Sequence, residues 1–98
     1  MKRAAKVLAT VGLGGALAMG AASGAHAAIS YPGGGTWNQG TSYVTMNTWS
    51  NYLHGSKAHG STACNANRCN RSDTVPPGLW SYASIRATWG GNTTYWRA

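Results

Sequence analysis

The chain has 98 residues and carries eight Lys and Arg against one acid, Asp73, which confines it to a single small basic domain. The absence of Glu rules out paired-carboxylate glycoside hydrolysis and carboxylate-rich calcium sites. Five Trp, five Tyr, 14 Gly and only 9% charged residues describe a compact, turn-rich secreted module, neither a helical bundle nor an acidic disordered tail.

The N-terminus reads as a leader. Lys2, Arg3 and Lys6 precede an uncharged apolar run from Val7 to Ala22, and Ala25-His26-Ala27 supplies the small residues read by a signal peptidase. Cleavage is expected after Ala27, on the general secretory route because no twin Arg precedes the run. The mature part, residues 28–98, then carries Lys57, Arg68, Arg71, Arg86 and Arg97 against Asp73. Its large aliphatics are only Ile29, Val44, Met46, Leu53, Val75, Leu79 and Ile85. A core built mainly of Trp and Tyr is the expectation, with a covalent staple to support it.

Cys64 and Cys69 are read as that staple. An even number of Cys in a short exported chain indicates a disulfide, and Asn65-Ala66-Asn67-Arg68 between them suits a hairpin loop. A metal site from His54, His59, Cys64 and Cys69 is set aside, because equal steps of five match no common zinc spacing. No metal, cofactor or nucleic acid is expected.

In chain order, Gly33-Gly34-Gly35 is a flexible arm or turn and Thr36-Trp37-Asn38 opens a short strand ending at Gly40. Tyr43–Met46 and Trp49–Leu53 are rich in strand formers, and His54-Gly55-Ser56-Lys57 interrupts the pattern. His59–Cys64 and Cys69–Val75 form a hairpin around the disulfide, with Thr62 opposite Arg71. Pro76-Pro77-Gly78 turns the chain. From Leu79 to Thr88, Trp80, Tyr82, Ser84 and Arg86 alternate with Ser81, Ala83, Ile85 and Ala87, leaving open which side is buried. Thr93–Arg97 is a terminal strand. About six short strands and no 3.6-residue period after the leader predict an all-β antiparallel sandwich or small barrel.

Three stretches carry a resemblance: Gly34-Gly35-Thr36-Trp37 with Gly40, Ser50–His59 (Ser-Asn-Tyr-Leu-His-Gly-Ser-Lys-Ala-His), and Pro77-Gly78-Leu79-Trp80-Ser81-Tyr82-Ala83. With the aromatic C-terminal strand, they make the mature chain resemble the lactococcin 972 family of bacteriocins, from about Gly33 to Ala98. The resemblance implies a secreted antibacterial polypeptide folded as two three-stranded antiparallel sheets, without enzymatic activity. It also implies binding to the cell-wall precursor lipid II with a block of septum synthesis, and a dedicated immunity protein in the producer. The chain departs from the family pattern in its Cys64/Cys69 pair, which the family does not require, and at Ser81, where Ala is usual. A homodimer is left open.

For such a target, cations suit phosphate and aromatic faces suit sugars and the membrane interface. The candidate contact residues are His54, Gly55, Ser56, Lys57, His59, Trp37, Trp80 and Arg86, with the Gly55 and Ser56 amides and Lys57 as a phosphate cradle. Alternatives of other classes are a secreted carbohydrate-binding module and a small secreted nuclease using His54, Lys57 and His59. The second lacks an orienting partner for either His.

Overall fold

A computed structural model describes residues 25–98, with side chains from Ala27 onward. The leader expected over residues 1–27 therefore lies outside the described residues except for its last three. Seven antiparallel strands follow one another: β1 (Ala25–Ser30), β2 (Thr36–Ser42), β3 (Asn47–Leu53), β4 (Gly60–Cys64), β5 (Cys69–Arg71), β6 (Trp80–Arg86) and β7 (Thr93–Arg97). They form a four-stranded sheet in the order β1-β2-β3-β6 and a three-stranded sheet in the order β5-β4-β7. The fold is all-β, two antiparallel sheets packed face to face.

The six strands after Ser30 make up two three-stranded sheets, and β1 adds an edge strand to one of them. That strand straddles the expected processing site, pairing Ala25 with Ser42, His26 with Thr41 and Ala27 with Gly40. The last three residues of the expected leader are therefore paired strand residues. Cleavage after Ala27 would leave Ala28–Ser30 paired with residues 37–39.

Two local expectations also change. Tyr43–Met46, rich in strand formers, is the turn between β2 and β3, because pairing of Ser42 with Asn47 leaves those four residues to reverse the chain. Met46 takes the left-handed conformation (φ 54°) that closes it. Of the two readings of Gly33–Gly35 the turn holds, as a 3₁₀ turn over Pro32–Gly34 capped by Gly35, packed and not flexible. A Cβ on Gly33 would lie 2.6 Å from the Trp96 ring, and one on Gly35 would run into Leu53 O and the Tyr52 ring. Only glycine lets this turn lie directly on the two rings.

The core is not the aromatic one that composition predicts. Of the ten Trp and Tyr, only Trp37 and Tyr52 are buried; the other buried apolar residues are Ala63, Cys64, Ala83, Ile85 and Ala87. The small side of β6 faces inward against Ala63 and Ser61 of β4, which resolves the ambiguity of the Leu79–Thr88 alternation. Small inner side chains bring polar groups together, and these are paired as burial demands. Ser50 Oγ accepts from Trp37 Nε1 (2.9 Å) and donates to Tyr95 O (2.8 Å), while Ser81 Oγ lies 3.0 Å from Tyr52 O and 3.1 Å from Ser61 Oγ.

Cys64 and Cys69 are joined, directly opposite in the β4–β5 pair, with Thr62 opposite Arg71 as the loop spacing predicted. The hairpin also closes one seam of the sandwich. Asn70 Nδ2 donates to Ser84 O and Asn65 Nδ2 to Arg86 O, covering carbonyls on the free edge of β6. Because the strands alternate in direction, the 43–46, 65–68 and 87–92 loops gather at one end. The 31–35, 54–59 and 72–79 segments gather at the other.

Candidate functional site

The segment His54–His59, favoured by sequence as a ligand loop, is anchored by its own histidines. His54 is buried, and its Nδ1 accepts from the amides of Ser56 (3.1 Å) and Lys57 (3.0 Å), so Nε2 carries the proton toward Gly33 O at 3.0 Å. The Ser56 amide, expected in a phosphate cradle, is therefore committed to His54. His59 is 1% exposed, and its two ring nitrogens face Lys57 O (2.7 Å) and Leu79 O (2.6 Å). Carbonyls only accept, so both bonds are made when the ring carries two protons. Tyr52 packs edge-on to His59 and stacks on Trp96, with ring centroids 5.7 and 5.2 Å apart.

These contacts make His54 and His59 the joints that fix β3 to the glycine turn and β4 to the start of β6. Both rings lie inside the fold, with their nitrogens facing the protein's own backbone. Trp37 is likewise placed inside, 8% exposed with its indole N–H given to Ser50. Gly55, Ser56 and Lys57 remain exposed at the loop surface. Arg97 lies across Gly60, donating from Nη2 to Ser72 O at 2.6 Å. Burial, then the nearby Arg71 guanidinium, lower it below the usual arginine range against the opposing pull of Asp73. It is a tie between β7 and the segment after β5.

The remaining candidates, Trp80 and Arg86, lie together on the outer face of the four-stranded sheet. In β3, Thr48, Ser50 and Tyr52 point inward, so Asn47, Trp49, Asn51 and Leu53 point out. The pairing with β6 sets Leu53 beside Trp80, Asn51 beside Tyr82, Trp49 beside Ser84 and Asn47 beside Arg86. Asn38 joins the face from β2 and accepts the Trp49 indole N–H at 3.0 Å, holding that ring in place. Trp80 and Tyr82 stack at 6.5 Å with planes 29° apart, and Tyr82 is 67% exposed.

Among the described residues no element packs over this surface. It is a strip of aromatic rings interleaved with amides, about 20 Å long from Trp80 to Arg86, with a guanidinium at one end. Rings of this kind can lie against the apolar faces of sugars while amides take their hydroxyls. The β6 alternation already put Trp80, Tyr82 and Arg86 on one side. Trp49, Asn38 and Asn51 were missed because only strand pairing brings them to it.

The chain is a small disulfide-stapled β-sandwich with an aromatic outer face. Residues 33–96 match the family of bacteriocins designated Lactococcin_972, and the chain belongs to that family. No curated protein and no solved structure matches it. Among the described residues no helix is long and apolar enough to cross a membrane.

Proposed function

We propose that the protein is a secreted, non-enzymatic bacteriocin that captures lipid II on the outer face of the four-stranded sheet and so blocks septum synthesis in related Gram-positive bacteria. Family membership supports the antibacterial role. The observation that carries the target is the uncovered strip of Trp49, Trp80 and Tyr82 with Asn38 and Asn51, ending at Arg86. Lipid II offers two amino sugars on a pyrophosphate, and the strip offers rings and amides for the first and a guanidinium for the second. The producer would need an immunity protein against its own product.

A growth-inhibition assay on a panel of Gram-positive strains tests this reading. Added lipid II should antagonise killing, and sensitive cells should arrest at the septum with their membrane potential intact. Trp80→Ala combined with Tyr82→Ala should raise the inhibitory concentration at least tenfold while the fold is kept, since both rings stand outside the core. Killing that ignores excess lipid II and comes with rapid depolarisation would overturn the reading. The stacked pair also suits a polysaccharide-binding module, and retention on chitin or cellulose without any growth inhibition would favour that instead.

A further inference from the structure

The loops at the Arg86 end of the sandwich gather a second set of aromatic and cationic side chains, which shares only Arg86 with the outer strip. Tyr43 and Trp89 stack nearly parallel there, with ring centroids 5.5 Å apart and planes 11° apart. Yet Trp89 is 79% exposed, and neighbouring Val44 in the β2–β3 turn is 78% exposed. The pair is held rather than loose. Asn92 donates to Tyr43 OH and to Thr88 O, and accepts from Thr88 N, while Thr88 Oγ1 donates to Gly90 O. The 65–68 loop joins the same end through Ala66 N, which donates to Thr88 Oγ1. That loop carries Arg68, and the last residue of β6 is Arg86, both exposed. Asp73, the one acid in the chain, follows β5 toward the opposite end.

A rigid tip bearing Trp, Tyr and Val, flanked only by arginines, has the chemistry of the membrane–water boundary. Indole and phenol rings settle at headgroup depth, and guanidinium groups pair with lipid phosphates. We propose that this three-loop tip docks the protein on an anionic lipid bilayer, with Trp89, Tyr43 and Val44 entering the headgroup region and Arg68 and Arg86 against the phosphates. The complementary partner is a negatively charged lipid surface, because the tip presents cations and no carboxylate. Docked this way, the outer strip of β6 rises from the membrane, with Arg86 at phosphate level and Tyr82 and Trp80 above it. Docking does not itself require lipid II, so its test separates from that of precursor capture.

The test is sedimentation of the purified mature protein with vesicles of phosphatidylglycerol and phosphatidylcholine that contain no precursor. The wild type should bind, with affinity falling as salt is raised and as phosphatidylglycerol is removed. Trp89→Ala should weaken binding at least tenfold without a change in thermal stability, and Arg68→Gln should weaken it several-fold. Leu79→Ser removes an exposed apolar residue at the opposite end and should leave binding unchanged. Brominated lipids should quench the wild-type Trp emission, and the Trp89→Ala variant should lose most of that quenching. Absence of vesicle binding, equal binding by Trp89→Ala, or loss of binding in Leu79→Ser in its place would overturn the proposal.

Discussion

At the scale of single residues, Tyr52 concentrates the fold's polar and aromatic contacts at one end of the molecule. Its ring is 0% exposed, lies under the Gly33–Gly35 turn and against Trp96 and His59, and its hydroxyl donates to Pro32 O at 2.7 Å. Burial pushes its phenol up to about 12 from 10.0, with a backbone hydrogen bond from Gly35 pulling the other way. The unfolded chain thus loses this proton first as the pH rises. Tyr52 stabilises the fold fully below pH 10, and that contribution fades as the pH climbs toward 12, by about 2 kcal/mol. Tyr52→Phe should lower stability at neutral pH by about 1 kcal/mol through loss of the bond to Pro32, and it should flatten the decline between pH 10 and 12. Denaturant unfolding of both proteins across that range is the measurement; an equally steep decline in the variant would assign the effect to other groups. The histidines beside Tyr52 show that part of the most family-like stretch serves the fold itself. In His54-Gly55-Ser56-Lys57-Ala58-His59 the two imidazoles are buried against backbone groups, while the four residues between them are exposed. Sequence cannot distinguish an imidazole facing a carbonyl across the fold from one facing solvent.

At the scale of elements, the β4–β5 hairpin and β6 stabilise one another. The turn chemistry of Asn65-Ala66-Asn67-Arg68 was readable because Asn65 does what Asn does in turns, its Oδ1 accepting the amides of Asn67 and Arg68 at 2.8 and 2.9 Å. The pairing of Cys64 with Cys69 followed from that loop length. The inward side of β6 did not follow, because alternation gives two faces but burial depends on what lies opposite. Ser61 and Ala63 of β4 come close only because Ser81, Ala83 and Ile85 leave them room. Replacing both cysteines, Cys64→Ser with Cys69→Ser, removes the loop constraint while Asn65 and Asn70 still hold the hairpin to β6. The expected cost is about 2 kcal/mol on the chain-entropy account, or roughly 10 °C in Tm for a domain of this size. The far-ultraviolet circular dichroism should be unchanged. A much larger loss, with altered strand signal, would mean that the disulfide sets the register of the small sheet and the asparagines do not.

At the scale of the whole molecule, the question is which cations work, since five are spread over a small surface. The sequence singled out Lys57 and Arg86 among them, with Lys57 in the phosphate cradle. The fold separates them: Arg97 is spent on Ser72 O, Lys57 sits on the loop at the Trp80 end, and Arg86 closes the aromatic strip at the end that carries Trp89. A precursor whose pyrophosphate lies at the membrane and whose sugars project from it should meet Arg86 first and the rings after it. Arg86→Gln is therefore expected to raise the inhibitory concentration at least tenfold, the scale of one charge-assisted phosphate contact worth about 1.5–3 kcal/mol. Lys57→Gln should raise it less than threefold, as expected for an exposed charge at the far end acting only through the general field. Both side chains are exposed, so neither change should move Tm by more than a degree or two. Dose–response curves for the two variants on one sensitive strain, read beside their melting curves, decide the matter. If Lys57→Gln is the more damaging, the 54–59 loop is the phosphate contact after all, and the protein must stand on the membrane with its other end down.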